Sequence, residues 1–379
     1  MNSLLLKKVL FKLTGVVNLK TRAKIRGRAL ISYITSPFLQ ATISNRHTNS
    51  WECREIASIL LEMGYDVDII NWDNQTFIPR KNYAVYLDIY SNLERLAPYL
   101  TGAKKIFHIT GAHWKFMNQA EQTRLLDLER RRGVTLKPNR SVKPGLNIEY
   151  ADYCASLGND FTSSTYAFAN KPIVRIPIST THTYTSPENK DFDRIRKNYI
   201  WLGGSGMIHK GLDLVLETFT ALPDYHLTII GPVEKESDFV EAYRKELYET
   251  SNIKLAGWLD LGSEEFDKIR NESLGIIYPS CSEGGGGSVI TAMHAGLIPI
   301  VSRESSVDTH DFGITLPDSS IESIKKNIEN MSSLPVSILQ EKALQTWKHA
   351  RSTHTREEFS KAYRVFLKNI LDTTSIPIL

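Results

Sequence analysis

Residues 274–301 read LGIIYPSCSEGGGGSVITAMHAGLIPIV, and the order of their chemistry decides the architecture. An apolar run at 274–278 ends in a polar turn, a lone carboxylate (Glu283) precedes four glycines, residues 289–295 have helical spacing, and 298–301 is apolar again. Strand, loop, helix and strand in that order form the parallel-sheet unit, whose loop sits at the carboxyl end of the first strand. The free N–H groups of the helix that follows favour an anion. Four glycines in a row lose much backbone entropy on folding, so the run marks a place where something must approach the main chain closely. Ser288 stands where it would cap the helix. The amides of Gly286, Gly287 and Ser288 suit phosphate oxygens, while Glu283, with Gly284 and Gly285 beside it, suits sugar hydroxyls.

A second loop of this kind, Gly203-Gly204-Ser205-Gly206-Met207-Ile208-His209-Lys210-Gly211, follows the apolar run at 199–202. Around the two loops, strands are expected at 199–202, 226–230, 253–256, 274–278 and 298–301. Helices are expected at 212–221, 239–250, 263–272, 289–295 and 321–331. The first half alternates in the same way, with strands at 29–35, 65–71, 83–87, 105–109, 153–155 and 173–176 and a helix at 51–63 stopped by Gly64. Between 179 and 197 the alternation gives way to Thr, Ser, Pro, Asn and charged residues, the composition of an exposed connection. The expectation is an α/β protein of two Rossmann-like, doubly wound parallel-sheet domains facing a cleft. Residues 1–180 form the first domain, with a basic segment at 1–28, and 198–355 form the second. A helix in 356–379 is long enough to pack back across the first.

The bulk numbers agree. The 379 residues exceed one ordinary core, and 41% apolar with 23% charged residues is a globular composition, against disorder or a multi-span membrane protein. No run reaches the roughly 20 apolar residues that cross a bilayer, and no leader-type cleavage site is evident, so a cytoplasmic address is expected. Cys53, Cys154 and Cys281 form no CxxC or Cys/His cluster, so no metal site and no cofactor are expected.

The net charge of +4 is unevenly spread, because no acidic residue precedes Glu52 while nine Lys and Arg do. Lys8 and Lys12 lie one helical turn apart, with Leu6, Leu10 and Leu13 on another face. This short amphipathic helix could dock on an anionic membrane surface, giving a peripheral position on its inner face, or pack on its own domain. Nucleic acid is not expected as a partner, since the basic residues are confined to one end and lack interleaved aromatics.

The stretches GGSGMIHKGLDLVLETF and YPSCSEGGGGSVITAMHAGLIPIVS resemble the group 1 glycosyltransferases of family 4, retaining enzymes with the GT-B fold. The first half matches that family only in overall plan. The resemblance implies metal-independent transfer of a hexosyl unit from a nucleotide sugar to the hydroxyl of a sugar, glycan or lipid-linked acceptor, as in polysaccharide or glycolipid biosynthesis. It implies Glu283 beside the donor sugar and Lys210 on the diphosphate. Thr291 holds the place of a ribose-binding glutamate, and Ser205 that of a diphosphate-binding arginine. It also implies a histidine after the 105–109 strand, for which His113 is the candidate and His108 the rival.

Other candidates are weaker. His47, Thr48 and Asn49 follow the first strand and would face the cleft on the acceptor side, or serve as a helix cap. Trp258 would lie near the base, or simply pack, and Ser282 would hold its turn. Two further readings stay open: a degenerate sugar-binding scaffold, or a nucleotide-sugar epimerase using Asp152 or Asp160 as base. A hydrolase is disfavoured, because no GxSxG turn is present.

Overall fold

The computed structural model describes residues 3–372. Two sheets organise it. The first comprises β1 (Val17–Leu19), β2 (Gly27–Tyr33), β3 (Tyr65–Asn71), β4 (Val85–Asp88), β5 (Lys104–Ile109), β6 (Tyr153–Ser156) and β7 (Ile173–Arg175), in the order β1-β3-β2-β4-β5-β6-β7. All pairings are parallel except β1 against β3. The second comprises β8 (Asn198–Leu202), β9 (His226–Ile230), β10 (Ile253–Gly257), β11 (Gly275–Tyr278), β12 (Ile298–Ser302) and β13 (Ile314–Leu316), wholly parallel, in the order β10-β9-β8-β11-β12-β13. Strands such as β8 and β12 are mostly apolar and buried because helices cover both faces of a parallel sheet.

In the second sheet the strand order reverses between β8 and β11, and the two glycine loops follow those strands. A doubly wound sheet opens a crevice at such a switch point. In the first sheet the reversal lies between β2 and β4, so the loop carrying His47, Thr48 and Asn49 opens from that point.

Several elements differ from the sequence expectation. The helix expected over 239–250 is two pieces, Ser237–Ala242 and Arg244–Tyr248, broken where Tyr243 leaves helical geometry. The edge strands β1 and β13, three residues each, are too short to show a period. The helix Val336–Thr353 has no counterpart among the expected helices.

The lobes are joined by many polar ties. The helix Trp114–Arg132 of the first lobe lies against the second: Arg131 pairs with Asp213 at 2.7 Å, Arg132 with Glu246 at 2.6 Å, and Arg124 donates to the Pro279 carbonyl at 3.1 Å. The helix Arg356–Leu371, capped by Thr355, returns to the first lobe and packs on the helix Asn49–Glu62. Phe359 meets Trp51 edge-on at 5.7 Å, and Arg364 pairs with Glu62 at 2.7 Å. Phe359, Tyr363, Leu367 and Ile370 are buried there, each stabilising by about 1.5–3 kcal/mol.

The helix Ser3–Thr14 leaves Leu5, Val9, Leu10 and Leu13 exposed, Leu13 at 78%. The Leu6 side chain and residues 373–379, parts of two expected segments, lie outside the described residues. Among the described residues no helix is long and apolar enough to cross a membrane.

Candidate active site

Glu283 is held by its own loop and by the end of β11. Its Oε1 accepts from Lys210 Nζ at 2.5 Å, from the Tyr278 hydroxyl at 2.8 Å and from Ser280 Oγ at 3.1 Å, and Lys210 also donates to Tyr278 at 2.8 Å. The side chains of Lys210 and Glu283 are only 9% and 15% exposed. The three bonds converge on Oε1, which leaves Oε2 without a partner among the described residues. Burial alone would raise the Glu283 pKa, but the charges of Lys210, His209 and Arg140 outweigh it and hold the carboxyl down at about 2. Glu283 is therefore an anion at neutral pH: it accepts hydrogen bonds and has no proton to give. Burial and the nearby Glu283 charge push Tyr278 well above its ordinary value, so it stays a donor.

The two loops are sewn together by His209. Its Nε2 meets the Ser282 carbonyl at 2.6 Å, and its own carbonyl accepts from Cys281 N at 2.8 Å. Burial lowers its pKa to about 4, so it is neutral. Ser282 Oγ, expected to hold the turn, has no partner among the described residues.

The glycine run has a reason different from the one its composition suggests. A Cβ on Gly284 would come within 2.2 Å of the Thr110 carbonyl and 2.4 Å of the Gly111 nitrogen, both in the loop after β5 of the other lobe. One on Gly285 would lie 2.9 Å from the Leu157 carbonyl. Half of the run is thus needed for backbone-to-backbone approach between lobes. Gly286, in left-handed geometry at φ 54°, is the cap of the helix Gly287–His294, so Ser288 is not the cap but lies within the first turn. The amides of Gly286, Gly287 and Ser288 donate none of the described hydrogen bonds, as a helix start open to an anion would leave them.

In the first loop, the amides of Gly206 and Met207 are already taken by the Glu236 carboxylate, at 2.5 and 3.0 Å. Gly204 and Ser205 are exposed. Thr291 is buried, and its hydroxyl donates to the Gly287 carbonyl of its own helix at 2.9 Å. Trp258 is 55% exposed, with the Arg46 guanidinium of the other lobe 5.1 Å above its ring.

A cavity of about 390 Å³ lies in the first lobe, lined by Trp72, Tyr90, His113, Trp114, Arg140 and Tyr166 among others, and reaching Thr110 and Gly111 where Gly284 abuts. His113 begins the helix Trp114–Arg132, and its amide donates to Thr165 Oγ1 at 3.0 Å. Its ring stands 5.3 Å from Tyr166 and 4.8 Å from Phe168, and burial lowers its pKa. The rival His108 is packed between Tyr33 and Tyr363 in the core, with both ring nitrogens unpartnered and burial lowering its pKa to about 3. It lines neither the cavity nor the cleft.

The His47 ring accepts from the Asn49 amide at 3.1 Å, and Thr48, not Asn49 or Ser50, holds the cap position of the next helix, without a side-chain bond. Crowding by protein, then the charges of Lys210 and Arg140, lower the His47 pKa, so this loop shares its electrostatics with the second lobe.

Sequence reasoning missed Tyr278, Glu121, Arg140 and Glu236. Tyr278 reads as a strand residue, and the other three lie far along the chain from the loops they serve. The three cysteines are buried and free, and among the described residues no group of three His, Cys, Asp or Glu is placed to hold a metal ion.

Comparison with known proteins bears on the fold that carries these residues. Residues 189–351, a stretch that spans most of the second lobe, match the family model of glycosyl transferases group 1. Among solved structures, sucrose-phosphate synthase from Thermosynechococcus elongatus superposes with a TM-score of 0.62 at 14% identity, over 92% of this chain and 100% of that one. A glycosyltransferase from Rickettsia africae gives 0.59 at 11% identity, over 92% and 100%. WaaG, a glycosyltransferase involved in lipopolysaccharide biosynthesis, gives 0.54 at 13%, over 89% and 98%. The fold is GT-B, and sugar transfer is the class of reaction that the family match assigns to it. No curated protein sequence matches significantly.

Proposed function

We propose that this chain transfers a hexosyl unit from a nucleotide sugar, held in the second lobe, to an acceptor hydroxyl in the first-lobe cavity, with retention of anomeric configuration. The observation that carries this reading is the Lys210–Glu283 pair at 2.5 Å, set at the switch point of the donor lobe and beside the loop that walls the acceptor cavity. Lys210, the open amides of Gly286, Gly287 and Ser288, the exposed backbone of Gly204 and Ser205 and the positive helix end neutralise the leaving diphosphate without a metal. Glu283, ionised throughout, accepts from donor-sugar hydroxyls through Oε2 and favours positive charge at the anomeric carbon. The bond from that carbon to the phosphate oxygen breaks, the bond to the acceptor oxygen forms, and the acceptor proton leaves with the diphosphate.

Trp258 flanks the nucleotide end of the cleft, and Thr291, with its hydroxyl turned to its own helix, leaves the choice of base to other contacts. His113 orients the acceptor, with His47, Thr48 and Asn49 on the cleft's other rim. The acceptor is a glycan or lipid-linked sugar of polysaccharide or glycolipid synthesis. The exposed Leu5, Val9, Leu10 and Leu13 beside Lys8 and Lys12 support peripheral attachment to an anionic, inner membrane face.

The test is turnover of a panel of nucleotide sugars. Donor hydrolysis or transfer should occur with at least one and vanish in Glu283→Ala and Lys210→Ala; silence with every donor sinks the reading. A binding scaffold is favoured by one observation, the filling of the Gly206 and Met207 amides by Glu236. It predicts sugar or nucleotide binding without turnover. An epimerase lacks support: Asp152 pairs with Lys105 at 3.1 Å at the start of β5, the end of the strand away from Thr110, and Asp160 is exposed. Sedimentation with anionic vesicles, lost in Leu10→Ser/Leu13→Ser, checks the membrane contact.

A further inference from the structure

We infer that Arg140, from the acceptor lobe, is a diphosphate-binding residue of the donor site, so that the leaving group is gripped by cations from both lobes. This rests on the reading that the second lobe binds a nucleotide sugar.

The argument begins with charge. The loop 203–211 contains one formal cation, Lys210, since His209 is neutral, and Lys210 is already paired with Glu283. The pair sums to no net charge, whereas a departing nucleoside diphosphate carries two or more negative charges. Helix-end amides supply only partial charges, equivalent to about half a unit. A site built from the two glycine loops alone is short of positive charge.

Arg140 makes good that shortfall by position. It lies in the connection after the helix Trp114–Arg132, and its alkyl stem runs over Gly206 so closely that a Cβ there would stand 2.6 Å from Arg140 Cγ. Gly206 is therefore shaped for this side chain as well as for its own turn. The backbone is pinned too: the buried carboxylate of Glu121 accepts from Asn139 N at 3.0 Å and from Arg140 N at 2.9 Å, and lies 4.0 Å from His209 Nδ1 of the other lobe. The arginine's base is thus held by Glu121 of its own lobe, beside His209 of the other.

The guanidinium itself has no acceptor. No hydrogen bond, ion pair or ring contact engages it among the described residues, in contrast to Arg124, Arg131 and Arg132, each committed to the other lobe. Its charge nevertheless reaches Glu283, His209 and His47. Five N–H donors in a rigid fork, unspent and within electrostatic reach of the Lys210–Glu283 pair, suit a phosphate. Arg140 also borders the first-lobe cavity, which makes an anionic acceptor the competing use of the same fork.

Calorimetry on the full chain with UDP, GDP, ADP and dTDP, and with the matching nucleosides, tests this. The wild type should bind at least one diphosphate, and Arg140→Gln should weaken that binding about 10- to 100-fold. Nucleoside affinity should stay unchanged and the melting temperature should fall only slightly, since the guanidinium makes no described hydrogen bond in the free protein although its charge favours the ionised Glu283. Arg140→Lys should recover part of the loss, and Glu121→Gln, which frees the turn, should cost less than Arg140→Gln. If Arg140→Gln binds the diphosphate as tightly as wild type while Lys210→Gln does not, the inference fails and the donor-site reading stands. It fails in the same way if only the acceptor KM rises. If the wild type binds no diphosphate at all, both fall.

Discussion

The two glycine loops of the donor lobe look alike along the chain, each following a strand at the switch point and each leading to a helix, yet they are filled in opposite ways. Loop 203–211 is satisfied from within its own lobe, where Glu236 occupies the Gly206 and Met207 amides. Loop 280–288 is crowded from across the cleft, where Thr110, Gly111 and Leu157 bring their backbone against Gly284 and Gly285. At the far end of the second loop the amides of Gly286, Gly287 and Ser288 donate none of the described hydrogen bonds. A glycine therefore reports that something comes close to the main chain; whether that is a ligand, a carboxylate or another lobe depends on what the fold delivers there.

Substitutions that break this contrast should differ widely in size. Lys210→Met strands the Glu283 carboxylate with one strong partner fewer in a mostly buried site, and should cost about 3–5 kcal/mol in chemical denaturation. The double variant Lys210→Met/Glu283→Gln should recover much of this. The pH dependence has a definite sign. Glu283 titrates at about 2, below its ordinary 4.5, so its contribution is fully present above pH 4.5 and lost as pH falls towards 2. The stability gap between wild type and Glu283→Gln should be flat from pH 7 to 5 and shrink only below 4.5.

Gly284→Ala comes next. Its methyl meets backbone, which cannot swing aside, so about 1–3 kcal/mol of stability or the closed packing of the lobes should be lost. A lowered melting temperature, or a larger radius of gyration by X-ray scattering, would show it; wild-type values for both would refute the interlobe role of the run. Glu236→Gln removes a charged acceptor from two amides and should cost about 1–2 kcal/mol, with faster amide exchange confined to 205–207. Gly204→Ala is the smallest. Nothing lies within 4 Å of the added methyl, and stability should move by less than about 0.5 kcal/mol.

The histidines repeat the lesson. His108 and His113 are five residues apart, but strand alternation turns the first into the core beneath Tyr363, while the second starts a helix at the cavity wall. Neither fate is written in the residue type.

What the sequence by itself determined is local: apolar runs broken by glycine loops placed most strands of both sheets to within a residue or two, and the loop pattern singled out Glu283 and Lys210. These signals survive in one dimension because a strand, its turn and the following helix are neighbours in the chain. Short edge strands such as β1 and β13 were lost because three residues show no period. The tertiary structure alone decided that Lys210 meets Glu283, 73 residues on, that Glu236 fills the first loop and that Gly284 faces Thr110. It alone brought Arg140 and Glu121 from the other lobe. Such meetings depend on how two sheets, each buried on both faces, pack across a cleft, and that packing is set by the summed fit of many side chains rather than by any stretch that can be read alone.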